Sequence, residues 1–134
     1  MEGVMKIKLS EFNAALLDFG KSLDVDASAF DEAVGDLIRS GKVQKFEICT
    51  ELLWKTMKVF LFENYGVDLA SPKPIMKSFY SNGLCGNEEY ECMLEIIDER
   101  NRLSHLYRKE MILPLLEKLS HYYTVMRKAA DSMR

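Results

Sequence analysis

Apolar residues recur at spacings of three and four along most of the chain, and no segment alternates Val, Ile or Thr with polar residues as a strand would. The pattern predicts an all-α, up-and-down bundle of four to five helices. A first helix is expected from about Ser10, read as its N-cap, with Phe12, Leu16, Leu17 and Phe19 on its apolar side and Gly20 weakening its end. Ser28 followed by Asp31 reads as a capping-box variant that opens a short helix through Phe30, Val34, Leu37 and Ile38, stopping at Gly41. From Lys42 to Asn64, Phe46, Cys49, Leu53, Met57 and Phe60 trace one stripe, and Gly66 follows the end. Ser71 and Pro72 start a connecting helix with Ile75, Met76 and Phe79 inward, closed at Asn82-Gly83. Asn87 is expected to cap the next helix, and a last one through Leu116, Leu119, Tyr123 and Met126 begins near Pro114.

Composition narrows the class. The 134 residues carry 18 Lys+Arg against 21 Asp+Glu, a formal charge of −3, with 48% hydrophobic residues. A chain of this length buries roughly 68% of its unfolded surface, so residues 1–134 are expected to form one domain around one core. The acidic balance excludes nucleic-acid binding through global charge and leaves only a local basic patch. Cys49, Cys85 and Cys92 form an odd set without C-x-x-C spacing, the usage of a reducing cytoplasm. No signal-peptide run or membrane-length apolar stretch occurs, so no membrane association is expected. His105 and His121 fit no zinc or di-iron motif, and no Gly-rich phosphate loop or serine-hydrolase elbow is present. The expectation is therefore no metal and no cofactor.

One helix breaks its own pattern. Tyr90, Met93, Leu94 and Ile97 form an apolar stripe whose continuation at helical spacing lands on Arg100, Asn101, Ser104 and Tyr107. Polar groups on a buried face must be paired or line a pocket or interface, since leaving one unpaired costs about 1 to 3 kcal/mol. The same stretch, Arg100 to Lys109, holds Arg100, Arg102, Arg108, Lys109 and His105 and contains no acid. Arg suits bidentate phosphate contact and His can move a proton near neutral pH, so the segment is a candidate phosphate or RNA site. The plainer alternative is a solvated helix end whose positive charge complements the macrodipole.

The residues from Arg100 to Tyr107 resemble the R-x4-H-x-Y signature of HEPN domains, with Asn101 directly after the arginine. Phe46-Glu47 followed by Glu51-Leu-Leu-Trp54-Lys55 is similar to the F-E-x-x-x-E-L-x-W-K helix of the nucleotidyltransferase substrate-binding branch of that family. Ser71-Pro72 through Gly83-Leu84 resembles its S-P-x-x-x-I connecting segment, and Asp98 also fits. The chain departs from the pattern after Tyr107, where Arg108-Lys109 stands in place of an acidic or Asn-like residue. The resemblance implies a HEPN bundle, homodimeric, acting beside a cognate minimal nucleotidyltransferase that serves as antitoxin to a ribonuclease toxin. It also implies Arg100 and His105 as a catalytic pair, Asn101 as polar support, and Tyr107 as the hydroxyl that the partner can adenylylate. Arg102, Ser104, Arg108 and Lys109 would assist or contact nucleic acid.

In that reading His105 is a general acid or base and Arg100 stabilises charge on phosphorus, without metal, leaving a 2′,3′-cyclic phosphate. Five helical residues turn the two groups about 140° apart, so a homodimer that packs these helices together is expected to complete the site. The alternative is a non-catalytic substrate-binding subunit that presents nucleotide or nucleic acid to the nucleotidyltransferase. A helical interaction module without a ligand is the third. Trp54, Phe46, Phe60 and the methionines read as core, Glu51 and Lys55 as an i, i+4 ion pair, Glu47 as a carboxylate able to hold Arg100 or Lys55, and His121 as structural.

Overall fold

The computed structural model describes residues 2–105 and 109–134, and side chains for these except at positions 2, 105, 109 and 111. Five α-helices follow in chain order: α1 Glu2–Leu23, α2 Glu32–Tyr65, α3 Pro72–Ser81, α4 Asn87–His105 and α5 Lys109–Ser132. Among the described residues there is no strand. A 3-10 turn, Ala27–Ala29, joins α1 to α2. The all-helical bundle expected from the periodicity is thus what forms.

The 34 residues of α2 extend over about 51 Å, and α1, α3, α4 and α5 all pack against it. Its inner line of Phe46, Cys49, Leu53 and Met57 is fully buried, and Phe60 nearly so. Gly66 ends the helix with φ 67°, a left-handed C-cap that only glycine adopts without cost, and its N–H reaches back to the Leu61 and Phe62 carbonyls.

Five boundaries differ from the sequence expectation. α1 begins at Glu2, because Met5, half-buried Leu9, Phe12, Leu16 and Phe19 continue one packed side back past Ser10. Ser10 is an exposed residue within the helix, and Leu17 points to solvent. The two helices expected on either side of Gly41 are one: a glycine costs about 1 kcal/mol inside a helix, less than the burial gained by an unbroken α2. Its N-cap is Asp31, whose Oδ1 accepts the Val34 N–H at 2.9 Å, while Ser28 lies in the 3-10 turn and donates to Asp26. α4 has its cap one residue before Asn87, where the Gly86 N–H donates to Glu89 Oε1 at 3.0 Å and the Gly86 carbonyl accepts from Tyr90. α5 starts at Lys109 and takes Pro114 into its second turn, where the Glu110 carbonyl loses its usual i+4 donor. α3 runs as expected from Pro72, with Ile75, Met76 and Phe79 buried and Asn82 as C-cap.

Gly35 is required for packing. A Cβ there would stand 2.8 Å from the Ala27 carbonyl oxygen, so its absence lets the 3-10 turn lie against α2. Gly35→Ala raises helix propensity by about 1 kcal/mol, yet it is expected to lower the urea midpoint because backbone must move to admit the methyl group. An unchanged or raised midpoint would contradict this packing.

Candidate functional site

α4 carries the break in pattern, one residue earlier than the sequence spacing suggests. Met93, Ile96, Ile97 and Leu103 are buried, and the residue between them on the inward face is Glu99, with its side chain 8% exposed. Arg102 closes over it, with Nη2 2.5 Å from Glu99 Oε1. Arg100, Asn101 and Ser104 therefore do not form a buried polar stripe: Arg100 is half-buried, and Asn101 and Ser104 are exposed. Leu94 likewise sits at the margin of the core. A helical line can run through positions 96, 100 and 104 or through 96, 99 and 103, and packing against the other helices selects the second.

Arg100 reaches sideways across the bundle to α2. Its Nη2 lies 2.6 Å from Glu51 Oε2, and the other oxygen of the same carboxylate is 3.2 Å from Lys55 Nζ. Oε2 is buried without an aligned hydrogen-bond donor, so the Arg100 contact is one of charge rather than of a directed bond. Partial burial pushes the Glu51 carboxyl up, but hydrogen bonds from Lys55 and Trp54 and the charges of Arg100 and Lys55 outweigh it and hold the group below the usual carboxylate range. Lys55 Nζ also stands 5.9 Å above the ring of Trp54, which is partly buried at the edge of the core rather than within it. The expected Glu51–Lys55 pair is present, and it is Glu51 that holds Arg100. One turn away Lys73 Nζ binds Asp98 Oδ1 at 2.6 Å and ties α3 to α4.

The cluster thus gathers Glu51, Trp54 and Lys55 from the motif-bearing part of α2 with Arg100 from α4. Asn101 is not drawn into it, Arg102 is committed to Glu99, and Ser104 donates back to the Arg100 carbonyl at 3.2 Å. The backbone of α4 is helical through His105, placing the Cα atoms of Arg100 and His105 about 140° apart around the axis. The His105 and Lys109 side chains, and all of Tyr107 and Arg108, lie outside the described residues. Both described arginines of the acid-free segment are met by carboxylates, so neither is a bare cation. A polyanion arriving here competes with Glu51 for Arg100.

Other reactive groups are subdued. Burial pushes the Cys49 thiol up to about 12 and those of Cys85 and Cys92 to about 11, with nearby carboxylates adding to the shift. These thiols are poor nucleophiles near neutral pH. Burial, together with its hydrogen bond to Glu95, also raises the Tyr122 hydroxyl. His121 is exposed. Among the described residues no group of three His, Cys, Asp or Glu side chains gathers to hold a metal ion, and no helix is long and apolar enough to cross a membrane.

The chain is an all-helical bundle whose second and fourth helices meet through an ion-pair cluster. The sequence model described as nucleotidyltransferase substrate binding protein like matches residues 7–134, and the chain belongs to that family. A solved structure from Thermus thermophilus has the same fold, with a TM-score of 0.80 and 24% identity over 92% of this chain and 98% of that one. No curated protein matches significantly.

The pairing of Glu51 has a pH signature. Above the ordinary carboxylate range the group is charged in both folded and unfolded chains, and its ion pairs contribute in full; that contribution is lost as the pH falls through its lowered folded value. Glu51→Gln is expected to lower stability at pH 7 by about 1 kcal/mol. The difference from wild type should close below about pH 4. An equal difference at pH 7 and pH 3, in thermal unfolding, would contradict the assignment.

Proposed function

We propose that the protein is the non-catalytic companion of a separate nucleotidyltransferase, receiving a nucleotide or nucleic-acid phosphate at the cluster of Arg100, Lys55 and Glu51. The family to which the chain belongs supports the partner and the role. The observation that carries the site is one carboxylate, Glu51, holding a guanidinium and an ammonium from two helices side by side. An anionic phosphate offers the same charge with more acceptor atoms, so it takes both cations as Glu51 is displaced. Trp54 borders the cluster, with the Lys55 ammonium 5.9 Å over its ring. Glu51 keeps the two cations apart from solvent anions until a ligand with sufficient charge arrives.

A second reading follows from Arg100 and His105 standing on one continuous helix, the arrangement of the HEPN signature. In it the protein is a metal-independent endoribonuclease toxin of a toxin-antitoxin pair, with Arg100 and His105 as catalytic pair and Tyr107 as the adenylylated hydroxyl. RNA binding is common to both readings, but the second also requires Arg100 to leave Glu51 and reach a scissile phosphate. Cleavage of end-labelled RNA in EDTA, lost in His105→Ala, would favour it over the first.

The chain has one tryptophan, so Trp54 reports on its own surroundings. Titration of the full chain with ATP and with a short oligoribonucleotide is expected to change Trp54 fluorescence. Arg100→Ala and Lys55→Ala should each weaken binding at least tenfold, while Arg134→Ala, on the far terminal turn, leaves it unchanged. Equal affinity in Arg100→Ala and wild type would overturn the site.

A further inference from the structure

The edge of α3 that lies against α4 carries groups the fold does not use up. Lys73, Lys77 and Tyr80 recur at i, i+4 and i+7 and so share one side of the helix, and all three are exposed. The Lys73–Asp98 pair and the contact of Tyr80 with Tyr90 fix α3 antiparallel to α4, since rising numbers in one helix meet falling numbers in the other. The two tyrosine rings lie parallel within 3°, their centroids 4.8 Å apart. Tyr90 is half-buried and Tyr80 is 37% exposed, so the outer face of the stack belongs to Tyr80. Among the described residues neither hydroxyl has a hydrogen-bond partner, and Lys77 has no carboxylate. A tyrosine pair that served only to clamp α3 to α4 would bury its rings; this one leaves a flat face open beside a lysine that nothing neutralises.

We infer that this edge continues the phosphate site into a path for a single-stranded oligonucleotide, one of whose bases stacks on Tyr80 while its phosphates pass Lys77 and Lys73 toward Arg100. The inference rests on the reading of the Arg100 cluster as a phosphate site. From Arg100 to Tyr90 is ten helical positions, about 15 Å along α4. At roughly 3.4 Å per nucleotide of a stacked strand this span takes about four to five nucleotides, so a mononucleotide held at Arg100 does not fill it. Sites for single strands combine cations that follow the backbone with aromatic rings that take the bases. The seam has both in order: Arg100 held by Glu51, Lys73 held by Asp98, Lys77 free, and the ring of Tyr80 last. Every nucleobase has a flat face, so the ring selects open strands over duplexes and not one sequence over another. An acidic peptide would use the lysines but leave the Tyr80 ring without a counterpart.

The test is fluorescence anisotropy of end-labelled single-stranded RNA, about two and about six nucleotides long, with the full chain. The longer strand is expected to bind at least tenfold tighter than the shorter, and Tyr80→Leu, which keeps an apolar side chain against Tyr90 but removes the ring, to abolish that gain. Tyr80→Phe should keep it. Lys77→Gln should lower the slope of log affinity against log salt by about 0.7, one phosphate contact on a single strand. DNA of the same sequence is expected to depend on Tyr80 as RNA does, and a duplex not at all, because stacking reads only an open base face. Inorganic triphosphate, which carries no base, should bind wild type and Tyr80→Leu alike, read by Trp54 fluorescence. A longer strand bound no tighter than the shorter, or bound equally by wild type and Tyr80→Leu, would overturn the path and leave the Arg100 cluster standing. Triphosphate that fails to bind the wild type would overturn the cluster and the path with it.

Discussion

The unbroken burial of one side of α2 is the constraint on which the rest of the molecule depends. Phe46, Cys49, Leu53 and Met57 lie on a single line over three turns, and each of the other four helices packs against this spine. Such a line gains enough from leaving water to carry the helix through Gly35 and Gly41, either of which would end a weaker one. Once α2 is continuous, its outer edge is fixed as well. Glu51 sits there because it is two residues before Leu53, and α4 then brings Arg100 within reach of it.

That geometry explains why the charge cluster lies where it does. α4 commits Met93, Ile96, Ile97 and Leu103 to the core, which turns Arg100 to the side of the helix that borders α2. The guanidinium is half-shielded and balanced by a carboxylate, conditions under which charged groups interact more strongly than on an open surface. Glu99 takes the inward place and would be a costly buried charge without Arg102 beside it. The Arg100–Glu51 pair ties the last turns of α4 to α2, while the Arg102–Glu99 pair lies within α4 and neutralises its buried carboxylate.

Much of the fold was legible because burial imposes a period on the sequence. The stripe of α2, the three inward residues of α3, and the glycine stops at Gly66 and Gly83 follow from spacing and from the φ that those turns need. Gly41 misleads because a glycine marks a helix end and an open helical surface with the same letter, and only tertiary packing separates them. Ser10 misleads likewise, since a serine inside a helix and one at its cap differ in what lies upstream, here Met5. In the site, the spacing pointed to the right turn of α4 but missed the inward residue by one. Glu99 left no mark in sequence beyond its place three residues after Ile96. The joining of Arg100 to Glu51 is a contact between distant segments; the motif helix that resembles the nucleotidyltransferase substrate-binding branch was the signal that could have named Glu51 as its partner.

The central claim is that Glu51 acts through Arg100, holding it for an incoming phosphate. The most direct measurement is a double-mutant cycle on ATP affinity with Glu51→Gln, Arg100→Ala and the pair together. The account predicts that Glu51→Gln changes affinity in the wild-type background and has a smaller effect, through Lys55 alone, once Arg100 is alanine. Independent, additive effects of the two substitutions, or an affinity that neither alters, would contradict it.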